Sequence, residues 1–220
     1  MFHCLIGHNM WICYYTDITN ELTTRLTNIS IASARKHMPD VKVLFIYPDW
    51  HLLNPEIGKH VDHMYPIMNL PKGVHWDYRR CLANAEVTGE CLFIDTDTVF
   101  QHDVSNVWTH PFDVAATLRE KPFEAQIPYN MGVCFSRTPR FWKHVALQIP
   151  KASNHWRDSE LAFSKTAMIT SEYTVRQLPG HLYNKTPETK GESVSHAYIV
   201  HYKGVVRKPW MLAREKEFIE

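Results

Sequence analysis

The sequence predicts an α/β fold with parallel strands at the centre of its sheet. Three observations carry this reading. Short, almost wholly apolar runs of strand length recur at 11–15, 41–47 and 91–94. Between them, apolar residues repeat at helical spacing. Proline or glycine closes several of the segments. Strands that alternate with helices are the pattern of a parallel sheet, because a crossover must carry the chain back to the same end before the next strand begins.

Each element follows from local chemistry. Residues 11–15 (WICYY) suit a buried strand. Thr19 is placed to cap a helix in which Leu22, Leu26 and Ile29 recur, and which should stop near His37, ahead of Pro39. Residues 41–47 (VKVLFIY) read as a second strand ended by Pro48, and 61–67 as a third. Asp77 opens a helix with Tyr78, Cys81, Leu82 and Ala85 on one face, finished by Gly89. Residues 91–94 (CLFI) form a fourth strand. Beyond residue 110 the order turns mixed. Strands are expected at 114–117 and 131–136, helices from Pro139 and near Asp158, and short strands around Val175 and Ile199.

With 220 residues, 45% apolar and 21% charged, the chain fits one globular domain, and a formal net charge of +1 gives no long-range pull on nucleic acid or anionic lipid. Five cysteines, at 4, 13, 81, 91 and 134, lack metal-ligand spacing, and Cys81, Cys91 and Cys134 sit among apolar neighbours as buried thiols of a reducing compartment. The N-terminus lacks the basic start and apolar stretch of a secretory signal, and no apolar run reaches the roughly 18 residues of a membrane span. Residues 210–220 mix both signs of charge. A soluble, cytoplasmic protein is expected.

The chemistry-bearing motif lies at the end of the fourth strand. Ligands of open α/β sheets bind beyond the carboxyl ends of the strands, where Asp95, Thr96 and Asp97 sit. Two carboxylates one residue apart can converge on a single divalent cation, and hard oxygen ligands suit Mg2+ or Mn2+, which keep positions for phosphate oxygens. The same pair also fits a turn cap beside a solvated carboxylate. It fits too the first motif of haloacid-dehalogenase-type phosphatases, with one aspartate as nucleophile and the other as acid/base. That second reading lacks its usual later acidic pair, since the chain contains no Gly-Asp, Asp-Asp or Asp-Glu.

A second cluster raises the specificity. In residues 200–210 (VHYKGVVRKPW), His201 can add a nitrogen ligand that tilts preference towards Mn2+, Gly204 lets backbone approach a phosphate, and Arg207 or Lys208 can neutralise a diphosphate leaving group. A surface turn with a solvated basic cluster is the structural alternative.

Asp-x-Asp followed about a hundred residues later by His-x-x-Gly and Lys-Pro-Trp resembles the family 8 glycosyltransferases, the group that contains glycogenin and bacterial lipo-oligosaccharide galactosyltransferases. Tyr129-Asn130-Met131-Gly132-Val133 is similar to the family's strand beside the donor sugar. Asp158-Ser159-Glu160 is similar to its segment near the transferred sugar, and Leu178-Pro179 with Tyr183-Asn184 to its Leu-Pro…Tyr-Asn stretch. Thr16 and Asp17 stand where the strand end receives the nucleotide base, and Arg80 resembles a basic residue that approaches the donor. The chain departs from the family in two places. Three residues, not two, separate Gly204 from Lys208, so Arg207 and Lys208 compete as phosphate contacts. Ser159 stands where the family has Gln, so Asp158 and Glu160 compete as the sugar-facing carboxylate, and Asp158 also fits an N-cap.

The resemblance implies a GT-A fold, a Rossmann-like mixed sheet flanked by helices, over 1–220, with a nucleotide-binding half to about 110 and a sugar and acceptor half beyond. It implies a UDP-sugar donor, a metal (Mn2+, or Mg2+) on Asp95, Asp97 and His201, Asn130 beside the transferred sugar, and transfer of a hexose with retention. A sugar-nucleotide binder without turnover would carry the same residues. The acceptor stays open among a glycan, a protein side chain and a hydroxymethylated nucleic-acid base. For the last, Lys203, Arg207, Lys208 and Arg214 would have to form a basic groove.

Overall fold

The computed structural model describes residues 2–3, 10–18, 20–120, 126–150, 155–169 and 171–219. The first half of the chain gives β1 (Phe2–His3), β2 (Trp11–Tyr15), α1 (Glu21–His37), β3 (Lys42–Pro48), α2 (Pro55–Gly58), β4 (His63–Ile67), α3 (Trp76–Asn84), β5 (Val87–Thr88), β6 (Cys91–Ile94) and β7 (Thr98–Phe100). A 3-10 turn at Ser105–Thr109 leads into β8 (Val114–Leu118), β9 (Tyr129–Ser136), α4 (Pro139–Gln148), α5 (Trp156–Ile169), β10 (Val175–Leu178), α6 (Gly180–Tyr183), β11 (Ile199–His201), α7 (Gly204–Leu212) and α8 (Lys216–Ile219).

Among the described residues, seven strands make one sheet in the order β10-β8-β9-β6-β2-β3-β4. The pairs β4–β3, β3–β2, β2–β6 and β8–β10 are parallel, and β9 runs antiparallel to both β6 and β8. Two smaller ladders stand apart, β1 with β5 and, antiparallel, β7 with β11. The mixed α/β architecture is the one the sequence predicts.

Strand periodicity explains why the apolar runs are continuous. Trp11, Cys13 and Tyr15 of β2 pack with Leu44, Ile46 and Phe93 into the core beneath α3, α4 and α5, while Ile12 and Tyr14 join Val43, Phe45, Leu92 and Ile94 on the opposite face. With both faces covered, neither set of side chains meets water, and alternation of polar and apolar residues disappears. Trp142 fills the first core. Its ring lies edge-on to Phe93 and Phe141, with centroids 5.1 and 5.7 Å away, and tilts against Phe163 at 5.8 Å.

Helix α1 starts at Asn20, whose Oδ1 accepts the Thr23 N–H at 2.9 Å, while Thr19 lies outside the described residues. It ends at His37 as expected, with Arg35, Lys36 and His37 in the last turn, where cations suit the helix dipole. Helix α3 starts one residue before Asp77 and is capped by His75, whose Nδ1 accepts the Asp77 N–H. Asp158 is no N-cap either, since α5 begins at Trp156 and places it within the first turn. Residues 200–210 are not a surface turn: they form β11 and most of α7, with Trp210 packed against a third, smaller core. Cys13, Cys81, Cys91 and Cys134 are free and buried, and Cys4 lies outside the described residues. Among the described residues, no helix is long and apolar enough to cross a membrane.

One irregularity positions the site. Strand β9 begins at Tyr129, two residues before the expected start, and its ladder with β8 jumps from Ala116↔Cys134 to Thr117↔Asn130. The intervening residues bulge out of register, which turns Asn130 and Gly132 towards the carboxyl end of β6.

Replacing Trp142 by Ala is expected to cost about 3–5 kcal/mol in urea unfolding. Leu147→Ala, on an exposed position of the same helix, should stay within about 0.5 kcal/mol of wild type.

Candidate active site

Strand β6 ends at Ile94, and the chain turns through Asp95, half-buried Thr96 and Asp97 into β7. The turn is held by the Thr98 hydroxyl, which donates to the Asp95 carbonyl at 2.8 Å. Because β7 pairs with β11 in the register His201↔Thr98, the imidazole arrives beside the two carboxylates from the far end of the chain. His201 Nε2 lies 3.0 Å from Asp97 Oδ1 and 3.4 Å from Asp95 Oδ2. One ligand atom from each of the three residues lies within 4.8 Å of the others, which is the spacing of a shared metal ion.

The ring orientation of His201 is set by a chain of amides. Asn184 donates its Nδ2 to Thr117 Oγ1 and to Asn130 Oδ1, at 2.8 and 2.7 Å, which leaves its Oδ1 to accept from His201 Nδ1 at 2.9 Å. Nδ1 therefore carries a proton, and Nε2 is the ring nitrogen that faces Asp95 and Asp97, at hydrogen-bond distance from Asp97 Oδ1. The chain continues: Asn130 Nδ2 donates to Glu160 Oε1 at 2.6 Å, and the other Glu160 oxygen pairs with Arg119.

Two cations offset the paired carboxylates. Arg80, buried on α3, places Nη1 2.7 Å from Asp95 Oδ1 and donates Nη2 to the Met131 carbonyl at 3.1 Å. Lys208 Nζ is 3.5 Å from Asp97 Oδ2. Burial pushes the Asp97 carboxyl up, but His201 and Lys208 outweigh it and hold its pKa below the ordinary carboxylate value. The buried Asp77 carboxyl is shifted upward, because desolvation exceeds what Arg80 and Ser159 return.

From this cluster a cleft of about 520 Å³ runs past Trp76, Arg80, Asn130 and Gly132 to Trp156, Glu160 and Lys203. It brings together Asp95, Asp97, His201, Asn130, Glu160, Arg80 and Gly204. Asp158, half-buried, is not part of its lining, and only 7% of Glu160 is exposed. Gly204 opens α7 with φ +75°, a conformation that favours glycine. Arg207 and Lys208 part company. Lys208 faces Asp97, while Arg207 donates Nε to the Pro187 carbonyl at 2.6 Å and lines a separate, smaller cavity. Arg214 is taken up by Glu217 and the Tyr202 hydroxyl. Of the four cations considered for a nucleic-acid groove, Lys203 and Arg207 line the smaller cavity, Lys208 faces Asp97 and Arg214 pairs with Glu217. Thr16 closes a turn with Ile18 at the end of β2, and Asp17 is ion-paired to Arg79, with Nε at 3.0 Å. Arg79 and Lys72 both lie over the Trp50 ring, 6.0 and 5.4 Å from its centroid.

Sequence reasoning missed Arg79, Arg119, Trp76 and the part played by Asn184. Arg119 carried a signal, since it stands just beyond the carboxyl end of a strand. Arg79 and Arg80 are consecutive on a helix, so they point about 100° apart, to Asp17 and Asp95 respectively. Lys203 sits at the mouth of both cavities, and burial followed by Arg119 pulls its ammonium pKa down to about 8.

No family model matches this sequence, and no curated protein matches it. Solved structures do. The galactosyltransferase LgtC, solved with donor and acceptor sugar analogs, is 12% identical over 96% of this chain and 97% of that one, with a TM-score of 0.61. A glycosyltransferase involved in glycosylation of the major capsid of PBCV-1 is 14% identical over 94% and 99%, with a TM-score of 0.63. The chain has the GT-A fold. The glycosyltransferase GlyE of Streptococcus pneumoniae TIGR4 contains it within a longer chain: 97% of this chain aligns to 64% of that one, at 14% identity and a TM-score of 0.63.

Within this GT-A fold, Gly132 is where backbone and ligand cluster meet. A Cβ there would lie 2.7 Å from Asp95 Oδ2 and 2.8 Å from His201 Nδ1. Gly132→Ala is therefore expected to crowd a divalent cation held by these side chains and to lower its affinity, read by calorimetry, by about tenfold or more. Gly191→Ala, which adds its methyl to open space, should leave that affinity unchanged.

Proposed function

We propose that this protein is a metal-dependent, retaining glycosyltransferase that moves a hexose from a UDP-sugar to an acceptor hydroxyl. The observation that carries the reading is the convergence of Asp95, Asp97 and His201 at the carboxyl end of β6, in a GT-A fold, at one end of a cleft whose other end is the Asn130–Glu160 pair. Two carboxylate oxygens and one imidazole nitrogen fit a Mn2+ or Mg2+ ion that keeps coordination positions for phosphate oxygens. When bound, that ion would stabilise charge on the departing diphosphate.

The chain's own residues supply the rest. Lys208, beside Asp97, and the backbone N–H groups at the start of α7 stand where the diphosphate would lie and favour negative charge there. Asp17 and the Trp50–Arg79 layer, at the end of β2, are assigned to the nucleotide base. Of the two sugar-facing candidates we assign the role to Glu160, which is in the cleft and oriented by Asn130 and Arg119, and not to Asp158. In the transfer, the acceptor oxygen bonds to C1 of the sugar. The bond from C1 to the β-phosphate oxygen breaks, with its electron pair leaving on UDP. Retention puts the incoming hydroxyl on the face of the leaving group, so the hydroxyl proton passes to the departing phosphate oxygen. The positive charge that develops on the sugar ring is offset by the Glu160 carboxylate.

Thermal unfolding with UDP, with Mn2+ and with both tests the donor site. At ligand concentrations near a hundredfold Kd, the two together should raise the melting temperature by about 5–10 °C, and Asp97→Ala should remove the rise. Absence of any shift with nucleotide refutes the UDP assignment. A shift without release of UDP from UDP-sugars would mean a silent binder, and hydrolysis of p-nitrophenyl phosphate in its place would revive the phosphatase reading of the same aspartates.

The two carboxylates separate kinetically. Glu160→Gln is expected to lower kcat for UDP release by about a hundredfold or more with a small change in KM, and Asp158→Asn to change either constant less than about twofold. A large kcat loss in Asp158→Asn alone would reverse the assignment.

A further inference from the structure

One buried carboxyl of the cleft is only half satisfied. Asp77 lies in the first turn of α3 and is only 7% exposed, yet it lines the cleft between Trp76 and Arg80. Its two oxygens are treated differently. The fully buried Ser159 hydroxyl donates to Asp77 Oδ2 at 2.5 Å and holds the carboxyl in place. Oδ1 accepts no hydrogen bond among the described residues: Arg80 Nη1 is 4.0 Å away and turned to Asp95, at 2.7 Å. A carboxyl oxygen so far withdrawn from water is costly to leave without a partner, and in a cleft a ligand can supply one.

The surroundings say which ligand. Ser159 and Glu160 are consecutive on α5, so their side chains diverge by about 100°, Ser159 towards Asp77 and Glu160 towards Asn130. Adjacent residues of one helical turn thus set two carboxyls, Asp77 and Glu160, in one cleft whose wall also holds Trp76 and Trp156. A cationic group at Oδ1 would meet Arg80, and an anionic one would meet the carboxyl itself. A neutral polyhydroxyl ring meets neither obstacle, and its apolar faces suit the indoles. A hydroxyl both donates and accepts, so it can partner Oδ1 whether or not the carboxyl carries a proton.

We infer that Asp77, held by Ser159, is a specificity-determining residue that binds one hydroxyl of the transferred hexose, an assignment that rests on the glycosyltransferase reading of the cleft. The position fits the role. Asp77 Oδ1 is one guanidinium away from Asp95, beside the place of a sugar ring whose diphosphate sits at the Asp95–Asp97–His201 end. One free oxygen serves one hydroxyl.

Calorimetry on the full chain with Mn2+ tests this. The probes are UDP, UDP-glucose, UDP-galactose, and the 2-, 3-, 4- and 6-deoxy forms of whichever sugar nucleotide binds tighter. One deoxy form is expected to bind the wild type about tenfold or more weaker than its parent, because Asp77 is left without a partner. Asp77→Ala should weaken the parent by a similar factor, keep UDP within about twofold, and bring the parent and that one deoxy form to equal affinity. Asp77→Asn, which keeps a hydrogen-bonding group, should regain about threefold of the loss. Ser159→Ala, which keeps the carboxyl but frees it to turn, should shrink the same deoxy penalty about threefold, and it decides the matter if Asp77→Ala does not fold. Equal weakening of the parent and every deoxy form in Asp77→Ala, with UDP unaffected, overturns the inference, since the carboxyl then shapes the cleft and touches no hydroxyl. Unchanged affinities overturn it as well. If UDP itself fails to bind, the donor reading falls and this assignment with it. If UDP binds and no deoxy penalty depends on Asp77, the assignment falls alone.

Discussion

The hydrogen bond from His201 Nδ1 to Asn184 Oδ1 governs the chemistry available at the end of β6. Because Nδ1 is turned to that amide, Nε2 is the nitrogen directed at the aspartates, within hydrogen-bond distance of Asp97 Oδ1 at 3.0 Å. A cation entering the cluster would use the same nitrogen and the same carboxylate oxygens in place of that contact. Asn184 can hold this orientation because its own amide is fixed by Thr117 and Asn130, and Asn130 in turn by Glu160 and the Gly132 N–H. One continuous set of hydrogen bonds therefore couples the Asp95–Asp97–His201 end of the cleft to its Glu160 end, and a disturbance at either should be felt at the other.

Arg80 and Lys208 act differently in the same field. Arg80 is rigid and buried, pinned between Asp95 and the Met131 carbonyl under the Trp76 ring, and offsets the charge of Asp95. Lys208 is partly exposed and stands farther from its carboxylate. Asp97 keeps its contact with His201 when Lys208 swings away, so the lysine can move without leaving the carboxylate unpartnered.

Much of this was legible in the sequence. Strands buried on both faces announce themselves as apolar runs, and α1 carried both periodicity and a proline stop. Asp95, Asp97 and His201 were found because metal ligation demands particular residue types at a strand end. The failures share a physical cause. The bulge that turns Asn130 and Gly132 towards the site is a property of the pairing of β9 with β8, which no local spacing encodes. Helix α7 was concealed by Pro209 in its interior, a residue that normally ends helices; the carbonyl it leaves without an N–H belongs to Val205, which is 85% exposed and within reach of water. The choice between Asp158 and Glu160 turned on where α5 begins, three residues earlier than an Asp N-cap would place it, and so on which side of the helix faces the cleft.

The short β7–β11 ladder also has a bearing on how the protein reaches its working state. It joins Asp97 to a histidine 104 residues later, so the ligand set does not exist until the C-terminal segment has returned to the middle of the molecule. Closing so long a loop is entropically costly and, in chains dominated by distant pairings, slow. The three side chains thus meet through a pairing of distant segments, whereas the strands that carry Asp95 and Asp97 are built largely from neighbouring ones. A change that loosens β11 would therefore scatter the cluster while leaving the central sheet intact.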